Sequence, residues 1–211
     1  MSETETNPAD DAVVSAEQAL NPASDTTQTS NTGVQFFPVS EGKLITMYLA
    51  SFGMYAIYWF YKNWSLQQDR MDKKISPVWR SIFSIFFTHS LFKRIDQQAI
   101  GLDKKHRFNA NWYATLFVAA IVVSNLLDNL TMGSGMFTVP SENSLIIISL
   151  VLFFVSIFPL VKVQATVNRI NNDMLGYLNH KYSLWNYVLI ILGIIAWLLL
   201  ALGMLTESLT V

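Results

Sequence analysis

Asp128 is the only carboxylate inside a long apolar stretch of this chain, and Asn125 and Asn129 share its face on a helix drawn through it. A carboxylate in hydrocarbon is costly, so this trio is a candidate intramembrane site for a proton or a cation. The alternative is that the helix ends there and Asp128 reaches the outer interface. It lies about 24 Å along the helix from Trp112 at 1.5 Å per residue, near the far side of a hydrocarbon core of about 30 Å. Arg80 and His89 interrupt a second apolar stretch. They fit an anionic headgroup or the lining of a re-entrant loop, and an Arg snorkelling from an interfacial helix explains them as well. Lys93, Arg94, Lys104, Lys105 and Arg107 make a basic face. Attraction to anionic lipid is worth about 1 kcal/mol per such residue at a membrane surface, although membrane orientation alone accounts for the same charges.

Other chemistries find little support. Cysteine is absent, which excludes disulfides, thiolate nucleophiles and Cys-ligated metals. His89, His106 and His180 fall on separate segments without paired spacing, so no metal site is expected. There is no Gly-rich phosphate loop and no nucleophile elbow. No cofactor is implied. The bases follow membrane junctions rather than gathering on a folded domain, which argues against nucleic acid as a partner.

The elements that must position these groups are helices in a membrane. The chain has 211 residues, 52% hydrophobic and 14% charged, against about 25% charged in soluble domains. Four apolar stretches, at about 44–61, 112–132, 145–161 and 184–205, read as spans. A broken interfacial or re-entrant helix is expected over 76–100, with Ser76 and Pro77 as its cap and first position. On a helical wheel its apolar side begins with Val78, Trp79, Ile82, Phe83 and Phe86. After His89 it moves about half a turn, to Leu91, Phe92, Ile95 and Ala99. Either the helix breaks near 88–90, or it faces lipid first and protein later. The stripe Val163, Val167, Ile170, Met174, Leu178 extends the third span beyond the membrane as a helix.

Tyr55, Tyr58, Trp59, Tyr61, Lys62 and Trp64 close the first span, and Trp112 and Trp185 open the second and fourth; all are expected as interfacial anchors. Ten bases lie between 62 and 107 and three between 162 and 181, and none lies in 133–144 or 206–211. The positive-inside rule then puts both basic regions in the cytoplasm and both termini outside. A re-entrant hairpin at Gly53 would instead keep the N-terminal tail inside. Residues 1–35 carry six acids, no base and too little apolar surface to fold, so they are expected to be a disordered acidic tail. The first apolar run starts near 43 with nothing basic before it, so no secretory signal peptide is expected. Residues 207–211 read as a short tail.

A weak repeat relates Phe92-Lys93-Arg94-Ile95, His106-Arg107-Phe108 and Trp112-Tyr113 to Asn168-Arg169-Ile170, His180-Lys181-Tyr182 and Trp185-Asn186-Tyr187. Duplication and convergent interface chemistry explain it about equally.

Three motifs carry a resemblance. The first is Phe37-Pro38-Val39-Ser40 followed by Phe52-Gly53-x-Tyr55-x-x-Tyr58-Trp59-Phe60-Tyr61-Lys62-Asn63-Trp64. The second is Ile75-Ser76-Pro77-x-Trp79-Arg80-x-x-Phe83, and the third is Pro159-Leu160-x-x-Val163-Gln164-x-x-x-Asn168-x-x-Asn171. Over roughly 36–190 the chain resembles a family of small bacterial integral membrane proteins of uncharacterised activity. The resemblance implies a multi-pass protein of the bacterial cytoplasmic (inner) membrane. It also implies that Arg80, Gln164, Asn168 and Asn171 share a polar cluster at the inner surface.

The expected fold is therefore all-α, with four transmembrane helices and one broken interfacial helix. The expected role is non-enzymatic, acting through protein or lipid interaction in the envelope. Its partners would be the lipid bilayer, anionic lipid at the cytoplasmic face, and a second copy or another membrane protein. The alternative is a small oligomeric transporter or channel using Asp128 and Asn125. A membrane enzyme comes third, for want of any acid–base pair.

Overall fold

The computed structural model describes residues 33–101, 108–132 and 142–210. The expectations for the acidic tail, for Lys104, Lys105, His106 and Arg107, and for the base-free stretch 133–141 lie outside these residues. The described residues form α-helices and no strand. In chain order the helices are α1 (Glu41–Ala50), α2 (Tyr55–Gln68), α3 (Pro77–Ile82), α4 (Ser84–Ile100), α5 (Ala110–Met132), α6 (Glu142–Ile170) and α7 (Leu184–Thr210), with a 3-10 turn at Tyr177–Asn179. Three of them, α5, α6 and α7, are long and apolar enough to cross a membrane.

The stretch 44–61, expected as one span, is instead two helices meeting at a tight turn. The physical reason lies at residues 51–54. The Gly53 N–H bonds the Tyr48 carbonyl and the Phe52 N–H bonds that of Leu49, which is the double closure of a Schellman motif. Ser51 then starts the next helix, its hydroxyl accepting from the Tyr55 N–H at 2.8 Å. Phe52 and Gly53 take φ of +50° and +87°. Glycine does so without strain, whereas a phenylalanine in the left-handed region costs about 1 kcal/mol or more. Hydrophobic content had no way to report this turn, because every residue in it except Ser51 and Gly53 is apolar.

The helix expected over 76–100 does break, but at Phe83 rather than near 88–90. The Phe83 ψ of +38° ends α3, and α4 runs unbroken through Thr88, His89 and Ser90. The shift of the apolar side has the other cause. Val78, Trp79, Ile82, Phe83 and Phe86 are exposed on the surface, whereas Leu91, Phe92, Ile95 and Ala99 are buried against the rest of the protein. Likewise α6 ends at Ile170, with Asn172 in the left-handed region. Val163, Val167 and Ile170 are core residues, and Met174 and Leu178 are exposed. At the C-terminus, α7 continues to Thr210, where a short tail was expected.

The core sits where α2, α4, α5 and α6 converge. Trp59, Phe60, Trp64, Phe92, Phe117 and Leu160 are all fully buried there. The Phe60 ring stacks on Phe92 and tilts against Phe117. Most of α7 is uncovered, and its packing is concentrated on α1.

Candidate functional site

The extended segment Gln35–Ser40 enters the fold with no helix or sheet to take its backbone groups. Side-chain amides take them instead. The Asn171 amide accepts from the N–H groups of Gln35 and Phe36 and donates to the Phe36 carbonyl. Asn63 accepts from the Phe37 N–H at 3.1 Å. Gln67, Gln164, Asn179 and Asn168 donate to the carbonyls of Gln35, Phe37, Pro38 and Val39. Gln164 is wholly buried. Its oxygen accepts from the Trp59 indole N–H at 2.6 Å, and its nitrogen also donates to Asn168 at 2.7 Å. Buried backbone groups must be paired, and here six Asn and Gln residues from α2, α6 and the 3-10 turn region supply the pairing.

The polar cluster at Gln164, Asn168 and Asn171 thus exists, but it excludes Arg80. The Arg80 guanidinium lies over the Trp64 ring at 4.5 Å and the Phe87 ring at 5.0 Å. Burial first, and the Arg94 charge second, hold its pKa below the ordinary guanidinium value. The cluster's other members, Asn63, Gln67 and Asn179, escaped the sequence reading. Asn63 and Gln67 follow Trp59 at intervals of four, a face that could have been read as polar-in.

The anchors divide in the same way. Trp59 and Trp64 are fully buried and Tyr55 nearly so, so these three are core residues and not interfacial rings. The chain folds back at residues 51–54, and α2 therefore turns that face inward. Tyr58, Tyr61, Trp112 and Trp185 are exposed as an anchor requires, and Lys62 covers the Phe37 ring.

At the other end of α1, the hairpin tip docks on α7. The Trp197 indole donates to the Leu49 carbonyl at 3.0 Å, and its ring stacks on Phe52 with centroids 4.7 Å apart. Gly193 lies against the Ala50 backbone. At its base the hairpin is tied by Lys43, whose ammonium donates to the Asn179 side chain at 2.7 Å and the Lys181 carbonyl at 2.6 Å. Burial lowers the Lys43 pKa.

Two cavities flank the tip. The larger, about 580 Å³, lies between the tip, the α3–α4 break and α5, and is lined among others by Ile57, Ile82, Ile85, Ala120, Ile121 and Phe153. Tyr48, Ser84, Ser124, Asn125 and Ser156 add the polar points, and Tyr48 and Ser156 bond each other at 2.6 Å. The smaller, about 270 Å³, is lined by Asp128, Ser149, Trp197 and Met204 among others. Phe52, Ser124 and Phe153 belong to both.

Asp128 accepts from the Ser149 hydroxyl at 2.6 Å, and Ser149 and Ser124 are linked at 2.7 Å, so the carboxylate is joined by hydroxyls across the α5–α6 contact. Asn125 and Asn129 bond only the preceding turn, at Ile121 and Asn125, and do not converge on Asp128. His89 meets Thr115 at 3.1 Å, away from Arg80's ring contacts. Among the described residues no group of His, Cys, Asp and Glu could hold a metal ion. No protein-family model, no curated protein and no solved structure matches the chain.

Proposed function

We propose that this is a non-enzymatic, multi-pass protein of a bacterial cytoplasmic membrane that works by holding lipid, with the larger cleft at the hairpin tip as its site. The cleft is the observation that carries the reading. At about 580 Å³ with apolar walls and a few polar points, it has the size and lining of a small-molecule site. Exposed Ile82, Phe83 and Phe86 surround the α3–α4 break beside it, so hydrocarbon reaches the site without crossing water.

Orientation supports this. Helices of ten and fourteen residues reach about 15 and 21 Å, short of a hydrocarbon core of about 30 Å, so the α1–α2 hairpin enters and leaves on one side. All fourteen bases then fall on the same side of three crossing helices. By the positive-inside rule that side is the cytoplasm; the acidic N-terminal region stays inside and the C-terminus lies outside.

Replacing Ile57 and Ile85 together by Trp narrows the cleft from two walls, one of them already exposed. Lipid retained per protein through purification in mild detergent is expected to fall by about half or more, with monodispersity kept. An unchanged ratio overturns the reading.

A second reading has its own observation. Asp128, hydroxyl-linked to Ser124, touches a cavity that is separated from the larger one by Phe52 and Phe153. That arrangement suits a proton- or cation-linked transporter. In proteoliposomes, Asp128→Asn then abolishes a flux that the parent protein supports; the absence of any flux in the parent removes this reading.

A further inference from the structure

The larger cleft lies at mid-membrane depth, counted from either surface. Its α5 wall, Phe117 to Asn125, stands about 10 to 22 Å along the span that starts at Ala110. Its α6 wall, Phe153 and Ser156, stands about 14 and 18 Å from Ser144, where the span of α6 starts at the opposite surface. In a hydrocarbon core of about 30 Å both counts end near the middle. Hydrocarbon offers polar groups no partner at that depth, so one left unpaired there is costly. Two side chains lining the cleft have bonding capacity to spare. Among the described residues the Ser84 hydroxyl makes no hydrogen bond, and the Asn125 amide nitrogen makes one, to the Ile121 carbonyl at 2.8 Å, which leaves it a second N–H. The other hydroxyls at the cleft are taken, Tyr48 by Ser156 and Ser124 by Ser149. None of the described residues lining the cleft is charged. A charged headgroup would enter without a counter-charge, which a low-dielectric site penalises. Four rings, Tyr48, Phe52, Phe117 and Phe153, stand in the walls, and they suit a flat unsaturated guest.

We infer that the cleft binds the ring of a prenylated quinone, with the Ser84 hydroxyl and the remaining Asn125 N–H donating to its two carbonyl oxygens. A quinone carries acceptors and no charge, and no ionic headgroup ties its ring to the membrane surface. It therefore matches a midplane site whose spare groups, one on α4 and one on α5, are both donors. The prenyl tail leaves past Ile82 and Ile85, which line the cleft and are exposed to lipid. A phospholipid would keep its polar end at the surface and bring only methylenes to the two donors. The inference rests on the cleft being a lipid site, and it names the class of lipid.

The test uses the full chain in an uncharged detergent, with thermal unfolding followed on addition of three probes. These are decylubiquinone, decylbenzene (the same tail on a ring without oxygens) and farnesol (a prenyl alcohol without the ring). Decylubiquinone is expected to raise Tm by about 4 °C, and the other two by less than half of that. In Ser84→Ala and in Asn125→Leu the quinone shift falls to the decylbenzene level, and the decylbenzene shift is kept. The two side chains stand on different helices, so either variant carries the test if the other fails to fold. Equal shifts from decylubiquinone and decylbenzene in the parent protein overturn the quinone and leave the cleft as a lipid site. A farnesol shift as large as the quinone's overturns the ring in favour of a lipid hydroxyl. A quinone shift that survives both substitutions overturns the assigned contacts. No shift from any probe overturns the quinone, and the lipid ratio of the Ile57 and Ile85 double variant then decides the cleft by itself.

Discussion

Replacing Gln164 by Leu is expected to destabilise the protein by about 4 kcal/mol, seen as a Tm lowered by about 10 °C in detergent. The wholly buried amide serves three partners: the Trp59 indole N–H, the Phe37 carbonyl and the Asn168 amide oxygen. Each buried group left unpaired costs about 1–3 kcal/mol, and the added apolar burial of Leu returns only about 1–2 kcal/mol. Asn129→Leu is the control. Asn129 is exposed and bonds only the carbonyl one turn back, so its loss should shift stability by no more than about 0.5 kcal/mol. If the two variants melt together, the amides do not hold the 35–40 segment in solution.

Gly193→Ala should also cost stability, by about 2–4 kcal/mol, although glycine inside a helix is usually a liability. Alanine at such a position gains up to about 1 kcal/mol in helix propensity. A Cβ on Gly193, however, would meet the Ala50 carbonyl oxygen and lie 2.6 Å from its Cα. These are backbone atoms that no rotamer change can move aside. The hairpin must back away from α7, which loosens the Trp197–Leu49 hydrogen bond and the Phe52–Trp197 stack together. Gly203 lies on the same helix with nothing near its missing Cβ. Gly203→Ala should therefore be neutral or slightly stabilising, and opposite signs in one melting experiment decide the point.

The all-helical fold and α5, α6 and α7 were legible because each is a long apolar run, and length with composition is enough to mark such helices. The hairpin was not. It depends on the Gly53 and Phe52 N–H groups bonding the Tyr48 and Leu49 carbonyls and on Ser51 accepting from the Tyr55 N–H, and two small residues hardly dent a hydropathy average. Gln164, Asn168 and Asn171 were found through their motif, but their partner was not, because backbone carbonyls of an extended segment leave no trace in side-chain patterns. Arg80 was joined to that cluster through the family resemblance. Its actual neighbours are Trp64 and Phe87, and a cation over a ring face obeys electrostatics that a polarity scale does not record. Asp128 was legible as a carboxylate within an apolar helix, while its link to Ser149 needed the α5–α6 register.

The seating of the hairpin tip on Gly193 and Trp197 also bears on how the chain is made. Almost 150 residues separate Leu49 from the indole that caps its carbonyl. The 35–40 segment likewise waits for amides at 164–179. The hairpin tip and the 35–40 segment are therefore made well before the residues that hold them. Until α7 emerges, the hairpin tip has no dock, and so long a loop closes slowly. Nascent chains halted before residue 184 should present the hairpin tip, residues 48–54, to membrane proteases and insertion chaperones. Chains carried past residue 197 should withdraw it, so α7 acts as the clasp on the tip.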